Sequence, residues 1–254
     1  MSENWTDHTY EVDLGKPGHG GFVVARHEGR VLFVRHGLPG ERARVRVTED
    51  RGGSFVRADA VEILDPSPHR IDPLCPISGP GGAGCCDFSH SSLEFQREMK
   101  SGIVAEQLRR IAGIERDVQV ENLPETGDGT GWRSRVRLAI DEEGQPGYHR
   151  YRSHGIVTDL RCPQIDLDAY AGLSSPSEIA ASGRKFTPGS ELQIVLDADG
   201  ARHIVEIAPA KVSRTGRVSP GRRGATARRA AGSAARRETV VAGTGRAIER
   251  VGSR

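Results

Sequence analysis

Three of the four cysteines in this sequence, Cys75, Cys85 and Cys86, fall within twelve residues of a Gly-rich stretch, LCPISGPGGAGCCDFSH. The fourth, Cys162, follows far downstream in Leu160-Arg161-Cys162-Pro163. Thiolates ligate soft metals, and a four-iron cluster takes four of them at tetrahedral corners. Gly79, Gly81, Gly82 and Gly84 allow a tight loop that returns Cys75 to Cys85 or Cys86. Adjacent side chains diverge, so both Cys85 and Cys86 reach one centre only through an unusual backbone turn. Zinc in place of an iron–sulfur cluster, or reduced cysteines packed as small hydrophobes, are competing readings. A nucleophile at Cys85 or Cys86 with His90 as base is a further one, but no oxyanion arrangement accompanies it.

These side chains need a scaffold on either side. Asp87 and Ser89 are suitable N-caps for a helix running to about Ile111, with Arg97, Lys100, Arg109 and Arg110 as a basic side. Upstream, residues 9–63 contain five short strand-like runs: Thr9 to Leu14, Phe22 to Arg26, Arg30 to Arg35, Arg42 to Thr48 and Phe55 to Ile63. Gly-rich turns separate them, which suits a small five-stranded OB-like barrel, since closure removes exposed strand edges. In RARVRVT, alternation turns Val45 and Val47 inward and Arg42, Arg44 and Arg46 outward. Such a row holds phosphates or is simply a solvated strand face.

Residues 87–208 read as an α+β second domain, so that the fold class is mainly β with one main helix. Arg116 to Leu123 is an expected strand. Gly131 to Ile140 and Gly147 to His154 are basic strands carrying Trp132, Arg133 and Arg135, then Tyr148, Arg150, Tyr151 and Arg152. Interleaved aromatic and cationic side chains offer base stacking and phosphate contact, or ordinary hairpin packing. Leu192 to Leu196 and His203 to Ala208 form an expected hairpin around Asp199-Gly200.

The net charge of +2 conceals an asymmetry: from Pro209 onward twelve Lys or Arg face two acids, leaving the first 208 residues near −8. A basic end on an acidic body suits a polyanionic partner or a solvated tail. Residues 209–254 are dominated by Arg, Ala, Gly, Ser and Thr and are expected to be a mostly disordered tail or linker; Thr239 to Val241 and Ile248 to Val251 are the apolar exceptions. No apolar run approaches the roughly 20 residues that span a bilayer. The polar start, MSENWTDHTYEVDLG, is no signal peptide. A cytoplasmic monomer with reduced cysteines is expected, with no membrane partner.

Residues 9–64 resemble a TRAM domain, an RNA-binding β-barrel, through HGGFVVARHEGRVLFVRHGLPGERARVRV and FVRADAVEILDPSPHR. The chain is similar to RNA uracil-C5 methyltransferases, in which that barrel is followed by Ser-Pro-His-Arg and a Cys-Pro opening an iron–sulfur motif. Here these are Ser67-Pro68-His69-Arg70 and Cys75-Pro76. The resemblance implies ribosomal or transfer RNA as partner, a cysteine loop at residues 65–86, and Cys75, Cys85, Cys86 and Cys162 as ligands of a 4Fe-4S cluster. It departs at Ala83, where the family places its middle cysteine; the spare thiol is Cys85. Trp132 to Arg135, Gly147 to His154 and Cys162 follow the order of the family's central domain.

The family's chemistry needs a cysteine that adds to uracil C6, a carboxylate that removes the C5 proton, and an S-adenosylmethionine domain. No Gly-rich strand–turn–helix follows residue 205. A chain truncated before the catalytic domain is therefore expected: an RNA-recognition half with no catalytic residues of its own, inactive alone. A metal-holding accessory protein without a role in RNA methylation is the alternative.

Overall fold

The computed structural model describes residues 4–122, 127–209 and 236–250. By internal contacts the chain divides into Met1–Thr130 and Gly131–Arg254. The cysteine loop and the main helix thus go with the N-terminal strands rather than with residues 131–208.

The first unit is built on one six-stranded sheet: β1 (Thr9–Asp13), β2 (Pro17–Gly18), β3 (Phe22–His27), β4 (Arg30–Arg35), β5 (Arg42–Glu49) and β6 (Phe55–Asp65). Their order is β1-β5-β6-β4-β3-β2, antiparallel except for the parallel β4–β6 pair. β1 and β2 are consecutive pieces of one segment, which pairs with β5 at one end and with β3 at the other. Backbone bonds from Leu14 N–H to Glu41 and from Gly15 N–H to Val24 join the two pairings. The sheet therefore curls closed on itself, as the five expected strands required.

Alternation sets what fills the barrel. Val12, Val23, Ala25, Leu32, Val34, Ala43, Val45, Val47, Val56 and Ala58 point inward and are buried together with Trp5. Aliphatic side chains of this size each contribute roughly 1.5–3 kcal/mol on full burial. Trp5 is fixed from outside the sheet: its N–H donates to Asp50 at 2.8 Å, and the Arg30 guanidinium, paired with Asp50, lies 4.4 Å over its ring.

The helix α1 (Leu93–Gln107) starts later than its expected caps. Ser92 is the N-cap, its hydroxyl accepting from Phe95 N–H. Asp87 and Ser89 are used elsewhere, Asp87 against Arg35 and Ser89 against Ser78. A π-turn over Leu108–Ala112 and a left-handed Gly113 end the helix near the expected Ile111. Residues 116–122 form no strand, because no neighbouring strand pairs with them; Val120 N–H is held by the Ser101 hydroxyl on the helix instead. Leu123 lies outside the described residues.

The second unit is an antiparallel sheet of order β12-β11-β10-β7-β8-β9. Its strands are β7 (Arg135–Ile140), β8 (Pro146–His149), β9 (Ile156–Val157), β10 (Glu191–Leu196), β11 (Arg202–Ile207) and β12 (Glu238–Ala242). The expected hairpin is present as β10–β11. The strand expected from Gly131 begins only at Arg135, and that expected over 147–154 ends at His149, where a turn passes through left-handed Arg152. A short helix, α2 (Pro176–Ala181), packs Ile179 inward. Within the tail, expected to be mostly disordered, the apolar exception Thr239–Val241 lies in β12, the edge partner of β11. Residues 210–235 lie outside the described residues.

Candidate functional site

On the barrel, Arg42, Arg44 and Arg46 do face outward from β5, while Ala43, Val45 and Val47 are buried. The register places Glu11 of β1 opposite Arg44 on one side and Glu62 of β6 opposite it on the other. Arg42 pairs with Glu11 at 3.1 Å, and Arg44 with both Glu11 and Glu62. The Arg44 hydrogen bond, ahead of the opposing burial contribution, lowers the Glu11 pKa, so the pair stays ionic. Among the described residues Arg46 alone of the three makes no ion pair. The row thus offers less free charge than its sequence suggests.

Two turn motifs meet in a clasp that sequence reasoning did not anticipate. Glu41, from Leu38-Pro39-Gly40-Glu41, is fully buried and accepts Arg70 Nε at 2.6 Å and Nη2 at 2.7 Å. Its two oxygens also accept Leu38 N–H at 2.7 Å and Ser67 N–H at 3.1 Å. Burial raises the Glu41 pKa, but the Arg70, Leu38 and Ser67 hydrogen bonds outweigh it and hold the carboxylate ionised. Leu-Pro-Gly-Glu and Ser-Pro-His-Arg are therefore two halves of one charged tie between barrel and loop.

Beside the clasp lies a second buried polar group. His36 is left-handed (φ 66°), with Nε2 3.9 Å from Asp59 Oδ1 and without a hydrogen-bond partner. His90 Nε2 approaches the Gly37 carbonyl at 3.4 Å. Burial, with the Arg35 charge next, holds His36 down at about 3; burial, with the Arg70 charge next, holds His90 at about 4. Burial pushes Asp59 up. Arg35 reaches across to Asp87 at 2.9 Å. Gly21 makes room for Asp87, since a Cβ there would stand 2.3 Å from its carboxyl carbon.

The cysteine loop is pinned at its neck by Ile71 N–H to the His90 carbonyl and Leu74 N–H to the Ser89 carbonyl. Within it, Ala83 N–H bonds the Ile77 carbonyl at 2.7 Å, a turn that Gly82 permits because a Cβ would lie 2.2 Å from that oxygen. Cys75 is buried, Cys86 half-buried and Cys85 exposed. The Cys86 thiol hydrogen-bonds those of Cys75 and Cys85, which pushes its pKa far up; the Cys85 and Cys86 sulfurs are 4.0 Å apart. Among the described residues no group of three or more His, Cys, Asp or Glu side chains is arranged to hold a metal ion. Cys162 is buried in the second unit beside Tyr148.

In that unit Trp132 is half-exposed, with the Arg133 guanidinium 5.1 Å over its ring and its Nε1–H donating to Gln164. Arg135 pairs with Glu249, which the C-terminal segment brings back. Arg150 and Arg152 are exposed in the turn after β8. Tyr148, by contrast, is buried against Tyr170 and belongs to the core. No described helix is long and apolar enough to cross a membrane.

Comparison with known proteins adds a frame to this geometry. Residues 8–61, the whole closed barrel but for its last few residues, match the TRAM domain. An uncharacterized RNA methyltransferase of Streptomyces coelicolor is 42% identical over 231 residues, covering 82% of this chain and 49% of that protein. One of Corynebacterium efficiens is 39% identical over 206 residues, covering 81% of this chain and 47% of that protein. A 23S rRNA (uracil(1939)-C(5))-methyltransferase of Alkalilimnicola ehrlichii is 33% identical over 162 residues, covering 62% and 35%. The chain spans about half the length, or less, of the curated relatives it matches. The chain contains a TRAM domain and is similar, over about four fifths of its own length, to proteins named RNA methyltransferases.

Proposed function

We propose that this chain is the RNA-recognising part of an rRNA or tRNA uracil-C5 methyltransferase, and that these 254 residues alone transfer no methyl group. The observation that carries the first half is the coincidence of the TRAM match with a closed barrel whose outer face carries arginines. The absence of methyl transfer rests on chemistry: among the described residues after 205 there is no Gly-rich strand–turn–helix to bind a methyl donor. Incubation with ribosomal and transfer RNA and labelled S-adenosylmethionine tests both halves. RNA is retained at low salt and released steeply as salt rises; if about six phosphates are neutralised, the log–log slope is about −4 on single strands. No label enters uracil C5. Label at C5 overturns the inactivity, and lack of retention at low salt overturns the binding.

The cysteine loop is proposed to carry a 4Fe-4S cluster together with Cys162, with zinc as the competing occupant. Its support is the donor chemistry, soft thiols gathered around Cys86. Among the described residues no group of three donors is arranged for a metal. Loading requires the ligating thiols to lose their protons, which makes uptake proton-releasing and favoured by higher pH. Anaerobically prepared protein is expected to be brown, with a broad visible band that Cys162→Ser weakens. Colourless protein containing zinc, or neither metal, removes the cluster.

A further inference from the structure

The outer face of the barrel carries an aromatic patch beside the arginine row. Phe33 projects outward from β4 between inward-facing Leu32 and Val34, and Phe55 and Arg57 project outward from β6 around buried Val56. The parallel β4–β6 register sets Phe33 directly opposite Arg57. Phe33 and Phe55 meet edge to face at 5.4 Å between centroids, and Phe22 of β3 closes the other side at 5.9 Å. The Arg57 guanidinium lies 5.0 Å over Phe22 and 6.0 Å over Phe55. Phe55 is 46% exposed, so that one side of its ring stays open beside Phe33 and Arg57. On the neighbouring strand Arg46, which makes no ion pair among the described residues, faces outward opposite Asp59, two residues from Arg57 along β6.

We propose that Phe33, Phe55 and Arg57 form a stacking site for a base of single-stranded RNA, with Arg46 placed for the adjoining phosphate. Rings flanked by cations suit a nucleic acid strand, whose bases present π-faces and whose backbone presents negative charge. Arg57 also pairs with Glu49 at 3.5 Å, so the exposed cation that an apolar protein segment would instead have to bury is Arg46. The site rests on the RNA-binding reading above and adds to it the part of RNA that is touched: the base, not only the phosphate.

The test measures affinity of the whole chain for a single-stranded oligoribonucleotide and for its counterpart with abasic ribose units. Phe55→Leu keeps apolar bulk and removes the ring; Phe55→Trp keeps a ring. Phe55→Leu is expected to weaken binding of the base-bearing strand about tenfold and leave abasic binding unchanged, while Phe55→Trp retains wild-type affinity. Wild-type affinity of Phe55→Leu for the base-bearing strand overturns the stacking site and leaves RNA binding standing. Equal weakening on both strands overturns it too. If the wild type binds neither strand, the RNA-binding reading falls and the site with it. A wild-type dimer that Phe55→Leu dissolves, with RNA affinity unchanged, makes the patch a contact between two copies instead.

Discussion

Glu41→Ala is expected to destabilise the first unit by about 3–5 kcal/mol, the range for removing one member of a buried ion pair. Arg70 then keeps its charge with no carboxylate, since both of its bonds to Glu41 are lost. Leu38 N–H and Ser67 N–H lose their acceptors as well, each at a further desolvation cost. Thermal unfolding followed by fluorescence of Trp5, which is buried in the barrel core, reads the loss; Trp132→Phe removes the other tryptophan. The double variant Glu41→Met with Arg70→Met is expected to recover part of the loss, because it leaves no unpaired charge behind. A Glu41→Ala protein that melts with the parent would remove the clasp from the account. Should the double variant melt below the single one, charge pairing would not be the reason for the loss.

The clasp also marks where sequence reasoning stopped. Both of its motifs are visible in the chain, yet their pairing joins residues 29 apart and depends on the closed sheet. Strand alternation gave inward Val45 and Val47 and the outward row Arg42, Arg44 and Arg46, because a period of two needs no knowledge of neighbours. The partners of that row were not readable. Glu11 and Glu62 reach Arg44 from 33 and 18 residues away, through two strand registers that only folding sets. The Phe33–Phe55–Arg57 patch was hidden for the same reason, since its three members sit on two strands. At residues 116–122 the expected strand is missing, as a run persists as a strand only when another strand pairs with it. In the C-terminal segment the island of Thr and Val that stood out from an Arg- and Gly-rich sequence sufficed for an edge strand.

Acid is expected to weaken the first unit well before its ordinary carboxylates are protonated. His36 and His90 have folded pKa values held at about 3 and about 4, below the ordinary 6.5. The unfolded chain therefore takes up protons that the folded chain refuses, and stability present above pH 6.5 is lost as pH falls toward 4 and 3. At about 1.4 kcal/mol per pK unit, the pair withdraws on the order of 5 kcal/mol by pH 4, comparable with the whole stability of a small domain. Burial sets the sign, and the charges facing the two rings reinforce it. Arg35 and Arg70 repel a second positive charge, and the Glu41 carboxylate that would attract one is engaged by Arg70. Asp59 works the other way: its raised pKa gives a contribution present at low pH and lost as pH rises, so it offsets part of the histidine effect. His90→Gln, neutral at every pH and still able to donate to the Gly37 carbonyl, is expected to flatten the decline in stability between pH 6.5 and 4 by about half. Urea unfolding of the Trp132→Phe background at stepped pH measures it through Trp5. An unchanged slope in the His90→Gln protein would place the acid sensitivity elsewhere, with the Glu41–Arg70 clasp next in line, because its depressed carboxylate also loses its stabilising charge as pH falls.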